Sequence, residues 1–122
     1  MTVLAVLLAG AVGALARFVV DGVVRHRWAT TFPAATLLIN VTGSLALGVL
    51  AGLVITHGAP AELQVILGTG FCGGYTTFST AAVESVRLAQ GRRGVLTLIY
   101  AVGSLLLSVA ACAGGLAVGA VL

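Results

Sequence analysis

Gly70-Phe71-Cys72-Gly73-Gly74-Tyr75-Thr76-Thr77-Phe78-Ser79-Thr80 lies in the middle of an uncharged run, Leu63 to Val83. That run is long enough to cross a bilayer. An ordinary spanning helix carries Leu, Ile and Val at such depth. Here stand paired glycines, aromatics, and hydroxyls from Thr76, Thr77, Ser79 and Thr80. A polar, breakable backbone is tolerated at membrane depth only where it is buried in protein or lines a water or ion path. The stretch therefore marks the functional centre of the chain.

The rest of the sequence has the same membrane character. Of 122 residues 60% are hydrophobic and 7% charged, and mean hydropathy is +1.20; a soluble domain carries about a quarter charged residues. Three further apolar runs flank the first: Val3 to Val20, interrupted only by Arg17, Ala34 to Ile55, and Gly94 to Leu122. Each reaches the length needed to span hydrocarbon. The connections between them are short, so the sequence predicts four membrane helices in one all-α integral-membrane unit over 1–122. The N-terminus is apolar from Val3 with no preceding basic region, which reads as a first span and not a cleaved signal. Trp28 and Phe32 fall beside span ends, where aromatics favour the headgroup layer. Cys72 and Cys112 lie in apolar runs without metal-ligand spacing and read as small buried side chains.

Seventeen glycines suit helices packed through small residues. Gly48 to Gly52, Gly70 to Gly74 and Gly115 to Gly119 each fit a small-xxx-small pattern, which marks close helix contact or arises by chance in a glycine-rich chain. With four spans, the first and third loops share one side of the membrane. Arg17, Arg25, Arg27, Arg87, Arg92 and Arg93 all belong to that side, and the other side has no Arg or Lys. The positive-inside rule then places both termini outside, in a multi-pass protein of the cell's inner (plasma) membrane. The basic residues form no cluster large enough for a nucleic-acid surface, so no nucleic-acid partner is expected.

No catalytic constellation emerges. His26 and His57 fall in loops on opposite sides, and Asp21, Glu62 and Glu84 lie at span ends. A polar path is better supported than an enzyme. Thr36, Asn40 and Ser44 recur every four residues on one helical face. Thr97, Tyr100, Ser104 and Ser108 form a second stripe, and Thr76, Thr77, Ser79 and Thr80 a third. These groups are neutral and most donate hydrogen bonds. They either tie helices together or line a conduit. No acid lies within a span, which argues against a proton-coupled cation carrier. Hydroxyl, amide and aromatic-edge hydrogens all present positive partial charge and suit an anion. Arg17, at the end of the first run, raises local anion concentration or serves as a snorkelling anchor.

Over essentially its whole length the chain resembles the Fluc (CrcB) fluoride channels. The resemblance rests on Gly10-Ala11-Val12-Gly13-Ala14-Leu15-Ala16-Arg17-Phe18, on Pro33-Ala34-Ala35-Thr36-Leu37-Leu38-Ile39-Asn40-Val41-Thr42-Gly43-Ser44, on the 70–80 stretch and on Glu84. It implies passive export of cytoplasmic fluoride through an antiparallel dimer of four-helix subunits, embedded in lipid, with two pores and a third helix broken at its centre. It implies a structural sodium ion between the subunits, held by backbone carbonyls at Gly73 and Thr76; carbonyls freed by a helix break suit a hard cation. The pore residues it implies are Asn40, Phe78, Ser79, Thr80, Tyr100 and Ser108, with Arg17 in the vestibule; Thr36 joins them on the Asn40 stripe. The family's second pore phenylalanine falls at position 81, where this chain has Ala81. Ala offers neither ring edge nor bulk, so the resemblance leaves one ion site incomplete.

Two other classes compete. A small multidrug-type cation/proton antiporter is also a short four-span dimer, but it needs a carboxylate in the first span, and Val3 to Val20 has none. A non-transporting scaffold accounts for the glycines but not for the hydroxyl-rich break. For the second subunit, a six-to-none Arg bias favours one orientation strongly. With Ala81, it points to a heterodimer with a related chain of opposite bias; the alternative is a homodimer in which a minority of chains insert inverted.

Overall fold

The apolar runs form helices and the polar run becomes an interruption. The computed structural model describes residues 1–122 and contains helices and no strand. Helix α1 (Thr2–Arg27), α2 (Ala34–His57) and α5 (Gly94–Val121) are each long and apolar enough to cross a membrane. The third expected span is split. Its first part, α3, covers 61–75 as one α turn (Ala61–Leu63), nine residues of π-helix (Gln64–Cys72) and a last α turn (Gly73–Tyr75). Thr76 and Thr77 are extended, and α4 (Phe78–Gln90) follows.

The helices outrun the apolar segments at the arginine-rich end. α1 continues through Asp21 to Arg27, helped by the i,i+4 pair of Asp21 and Arg25 at 2.8 Å. Arg25, His26 and Arg27 also sit where the helix dipole favours cations. Arg17 is therefore not at a helix end: ten residues, about 15 Å of rise, follow it. At the opposite end α2 stops at Gly58, whose φ of 62° is left-handed and suits a residue without Cβ. Arg93 Nη1 donates to Thr31 Oγ1 at 2.9 Å, which puts the first and third loops on one side of the bundle, as the topology requires.

The two ends of the bundle are held differently. Away from the arginines, α2 and α5 meet backbone to backbone. A Cβ on Gly48 would overlap the Cys112 carbonyl, and one on Gly115 or Gly119 would overlap the Leu45 or Val49 carbonyl. Gly13 and Gly74 do the same between α1 and α3, against Phe71 and Gly10 respectively. All three small-xxx-small pairs thus serve contacts inside one subunit. At the arginine end there is a side-chain core of Val24, Ala35, Ile39, Leu88 and Tyr100, with Thr36 and Glu84 buried among them. Elsewhere large apolar side chains such as Leu7, Leu15, Phe18, Leu98 and Leu105 face outward, as a lipid-embedded bundle demands.

These contacts separate glycines that matter from glycines that do not. Gly48→Ala should lower stability by about 1–3 kcal/mol through overpacking. Gly103→Ala, where nothing lies within 4 Å of the added Cβ, should be neutral. Thermal unfolding of the two variants in one detergent checks the pair.

Candidate functional site: the cleft at the helix break

The break is built by one amide. Asn40 Nδ2 donates to the Thr77 carbonyl at 2.8 Å, and the Thr77 N–H donates to Asn40 Oδ1 at 2.8 Å. A side chain of α2 thus replaces both main-chain bonds that Thr77 would make in a continuous helix. Thr77 then caps α4: its Oγ1 accepts from the Thr80 N–H at 3.2 Å and donates to Thr80 Oγ1 at 3.0 Å. On the other side of the break, Thr76 Oγ1 turns back to the Cys72 carbonyl at 2.8 Å.

Carbonyls at the end of α3 lose their helical partners as a result, those of Gly73 and Thr76 among them. In an unbroken helix Gly73 C=O would accept from the Thr77 N–H, which goes to Asn40 instead. Thr76 C=O would accept from the Thr80 N–H, which goes to Thr77 Oγ1. Both freed oxygens flank the break, and at Gly73 no atom comes within 4 Å of where a Cβ would stand. Their chemistry, neutral oxygen dipoles without donors, fits a hard monovalent cation. The paired glycines themselves remain helical; the chain opens two residues later, at the threonines.

A cleft of about 540 Å³ opens along the break. Asn40 and Ser44 of α2, Gly73, Thr76, Thr77 and Phe78 around the interruption, Ala81 and Ser85 of α4, and Ser104 and Ser108 of α5 line it. Ser85 and Ser104 spend their hydroxyls on carbonyls one turn back. Ser44 and Ser108 make no hydrogen bond within the chain, and Asn40 keeps its second amide hydrogen. Phe78, at the start of α4, borders the cleft and is 88% exposed. The lining holds donors and no carboxylate.

The structure divides the predicted residues. Asn40, Phe78, Ser108, Gly73 and Thr76 come together at the cleft. Thr80 Oγ1 accepts from the capping Thr77 hydroxyl and does not line the cleft, and Ser79 is exposed beside it. Thr36 and Tyr100 lie outside the cleft, each about 1% exposed. Arg17 is half-buried on α1, without a hydrogen bond or ion pair, and lines neither this cleft nor the pocket near the loops.

Tyr100 belongs to a network that spacing did not disclose. Its hydroxyl donates to Glu84 Oε2 at 3.0 Å, and Arg25 Nη2 donates to Glu84 Oε1 at 2.7 Å. Arg25 Nε is shared with Asp21, and the Phe32 ring meets Tyr100 edge to face at 5.7 Å. Glu84 ties α1, α4 and α5 together. The signal available in sequence was only that an acid and an arginine lie near span ends on one side.

A cleft of hydrogen-bond donors at an interrupted membrane helix defines a class: small membrane proteins that pass or hold an anion within a helical bundle. The family is then given by comparison. Residues 4–116 match the model of the family described as CrcB-like protein, Camphor Resistance (CrcB), and the chain belongs to that family. It is 52% identical over 119 residues to the fluoride-specific ion channel FluC 1 of Leifsonia xyli subsp. xyli, covering 98% of this chain and 87% of the relative. It is 45% identical over 120 residues to FluC 2 of Cutibacterium acnes, covering 98% of each, and 45% identical over 106 residues to FluC 2 of Mycobacterium tuberculosis, covering 87% and 81%.

The bracket predicts a stability effect separable from transport. Asn40→Ala leaves the Thr77 N–H and C=O without partners, at about 1–3 kcal/mol for each group that water does not reach. Ser44→Ala, on the same face, removes no bond. Thermal unfolding should therefore separate the two variants, with Asn40→Ala clearly the less stable.

Proposed function

We propose that this chain is a subunit of a fluoride-selective ion channel that lets cytoplasmic fluoride leave passively and so limits its toxicity. The observation that carries the reading is the donor-lined, carboxylate-free cleft at the break, in a chain whose curated relatives are named fluoride-specific ion channels. Fluoride is small and strongly hydrated. Its water is replaced by close donors in a narrow passage, where the Asn40 amide, the Ser44 and Ser108 hydroxyls and the Phe78 ring edge each offer a partially positive hydrogen. Protonated fluoride crosses lipid, dissociates at neutral pH and is trapped as the anion, and a passive pore returns it down the membrane potential. No step is enzymatic. The antiporter reading falls away with the family, and α1 offers no acid in its membrane part; Asp21, its one carboxylate, is paired with Arg25 near the helix end.

Reconstituted protein should release fluoride from liposomes and leave chloride inside. Asn40→Asp puts a negative charge on the anion's path and turns a donor to the Thr77 carbonyl into a repelling acceptor. Phe78→Ile keeps bulk and loses the ring edge. Each should slow fluoride efflux at least about tenfold, equivalent to ~1.4 kcal/mol of barrier. Equal chloride and fluoride fluxes from the parent protein, or unchanged flux in both folded variants, would refute the assignment.

The functional unit in this reading is an antiparallel dimer in the inner membrane, with the arginine-rich loops in the cytoplasm and both termini outside. The freed carbonyls of Gly73 and Thr76 from both subunits hold a structural sodium ion, which joins the two broken helices and is not transported. The partner is a related chain of opposite charge bias, because six arginines on one side disfavour inversion of this one. Ala81 lines the cleft where an aromatic ring would complete a second site, so one of the two pores is impaired. Co-expression with such a partner should rescue fluoride-sensitive cells better than this chain alone. Full rescue by the single chain, with termini on both faces, would establish the homodimer instead.

A further inference from the structure

A second pocket, of about 290 Å³, opens at the arginine end between the first and third loops. Three guanidinium groups from separate segments reach it: Arg25 from α1, Arg87 from α4 and Arg93 from the third loop. Both acids nearby, Asp21 and Glu84, are committed to Arg25. Arg87 makes no hydrogen bond or ion pair within the chain, and Arg93 is held only by the neutral Thr31 hydroxyl. Three cations against two anions leave a surplus positive charge in a recess of the protein. Like charges gathered in this way repel unless an anion lies among them.

The pocket is far larger than one halide needs, and it is not uniformly polar. Phe32, Pro33 and Leu88 form an apolar part beside the arginines. On the same side of the bundle, Trp28 is exposed at the end of α1, where an interfacial anchor belongs. Val83 and Val86, one turn or less from Arg87 on α4, are exposed apolar side chains on the way into the bilayer. A ligand that fits all of this has a phosphate for the guanidinium groups and hydrocarbon for the valines. Basic pockets between membrane helices bind anionic lipid headgroups on these terms, and arginine suits phosphate through paired N–H donors.

We propose that this pocket is a binding site for the phosphodiester headgroup of an anionic phospholipid, with Arg87 and Arg93 as its phosphate ligands. The bound phosphate joins α4 and the third loop to the network of Arg25, Asp21 and Glu84, and so ties the arginine end of the bundle together. The site is separate from the cleft at the break and does not depend on which ion the cleft carries.

The test uses the full chain in a neutral detergent, with phosphatidylglycerol, phosphatidylcholine or inorganic phosphate added. It reads the melting temperature, and lipid adducts by native mass spectrometry. Phosphatidylglycerol should raise the melting temperature and appear as an adduct; phosphatidylcholine should do neither. Arg87→Gln removes no bond made within the chain and should lose at least half of that rise together with the adduct. Arg92→Gln, with the same net charge, alters an exposed residue of the same loop that does not line the pocket, and should keep both. An equal rise in Arg87→Gln, or an equal loss in Arg92→Gln, would overturn the site in favour of diffuse charge attraction. A full rise with inorganic phosphate, which then displaces the lipid adduct, would overturn the lipid in favour of a free oxyanion.

Discussion

Two hydrogen bonds between Asn40 and the main chain of Thr77 govern the centre of this molecule. Breaking a helix in a membrane exposes groups that no water solvates, each at several kcal/mol. One primary amide answers a donor and an acceptor together, because it carries both functions side by side. Once Asn40 takes the Thr77 N–H, Gly73 C=O is released; once Thr77 turns its hydroxyl to the Thr80 N–H, Thr76 C=O is released. The same few bonds therefore set the start of α4, place Phe78 at the mouth of the cleft and direct the spare amide hydrogen of Asn40. A fold-holding role and a place in the cleft lining coincide in one side chain.

Glu84 is the counterpart at the arginine end. A buried carboxylate is unfavourable alone, and here both oxygens are bonded, to a charged donor and to a phenol. The arrangement keeps the one buried acid from presenting unbalanced negative charge toward an anion path. Its two partners, Arg25 and Tyr100, come from α1 and α5, so the end that lacks backbone-to-backbone glycine contacts is joined by charge and hydrogen bonding instead. Glycines hold one half of the bundle and a polar network the other, which leaves the middle free to contain an interruption.

Much of this was legible in the sequence. Span number and order followed from four uncharged runs, and the interruption from hydroxyls and glycines in the third. The glycine pairs named the faces that meet, since no other residue permits carbonyls of two helices so near. Sequence placed the flexibility at Gly73 and Gly74, but the break lies at Thr76 and Thr77, because the bond that opens the helix comes from Asn40, 37 positions away. The nine-residue π segment carried no signal that spacing rules detect. Nor did helical period distinguish Ser108, in the cleft, from Tyr100, which lies on the same stripe two turns earlier and turns to Glu84. Periodicity assigns a face, and only tertiary packing decides which part of that face is spent on the protein itself.

The placement of the few charges follows from the same economy of donors. Of three acids, Asp21 and Glu84 are both paired with Arg25, and Glu62 stands at the far end of α3, away from the cleft. The cleft thus meets no full charge of either sign among its lining residues; its polar groups are amide and hydroxyl donors together with the freed carbonyls at the break. A fixed arginine there would bind an anion too tightly to release it, whereas conduction needs sites weak enough to leave. Neutral donors on a rigid frame satisfy both demands. Five of the six arginines are kept at one end of the bundle, where their field concentrates anions. Separation of charge from the ion path, with dipoles left to do the recognition, is the physical reason that so short a chain can be both apolar enough to insert and polar enough to be selective.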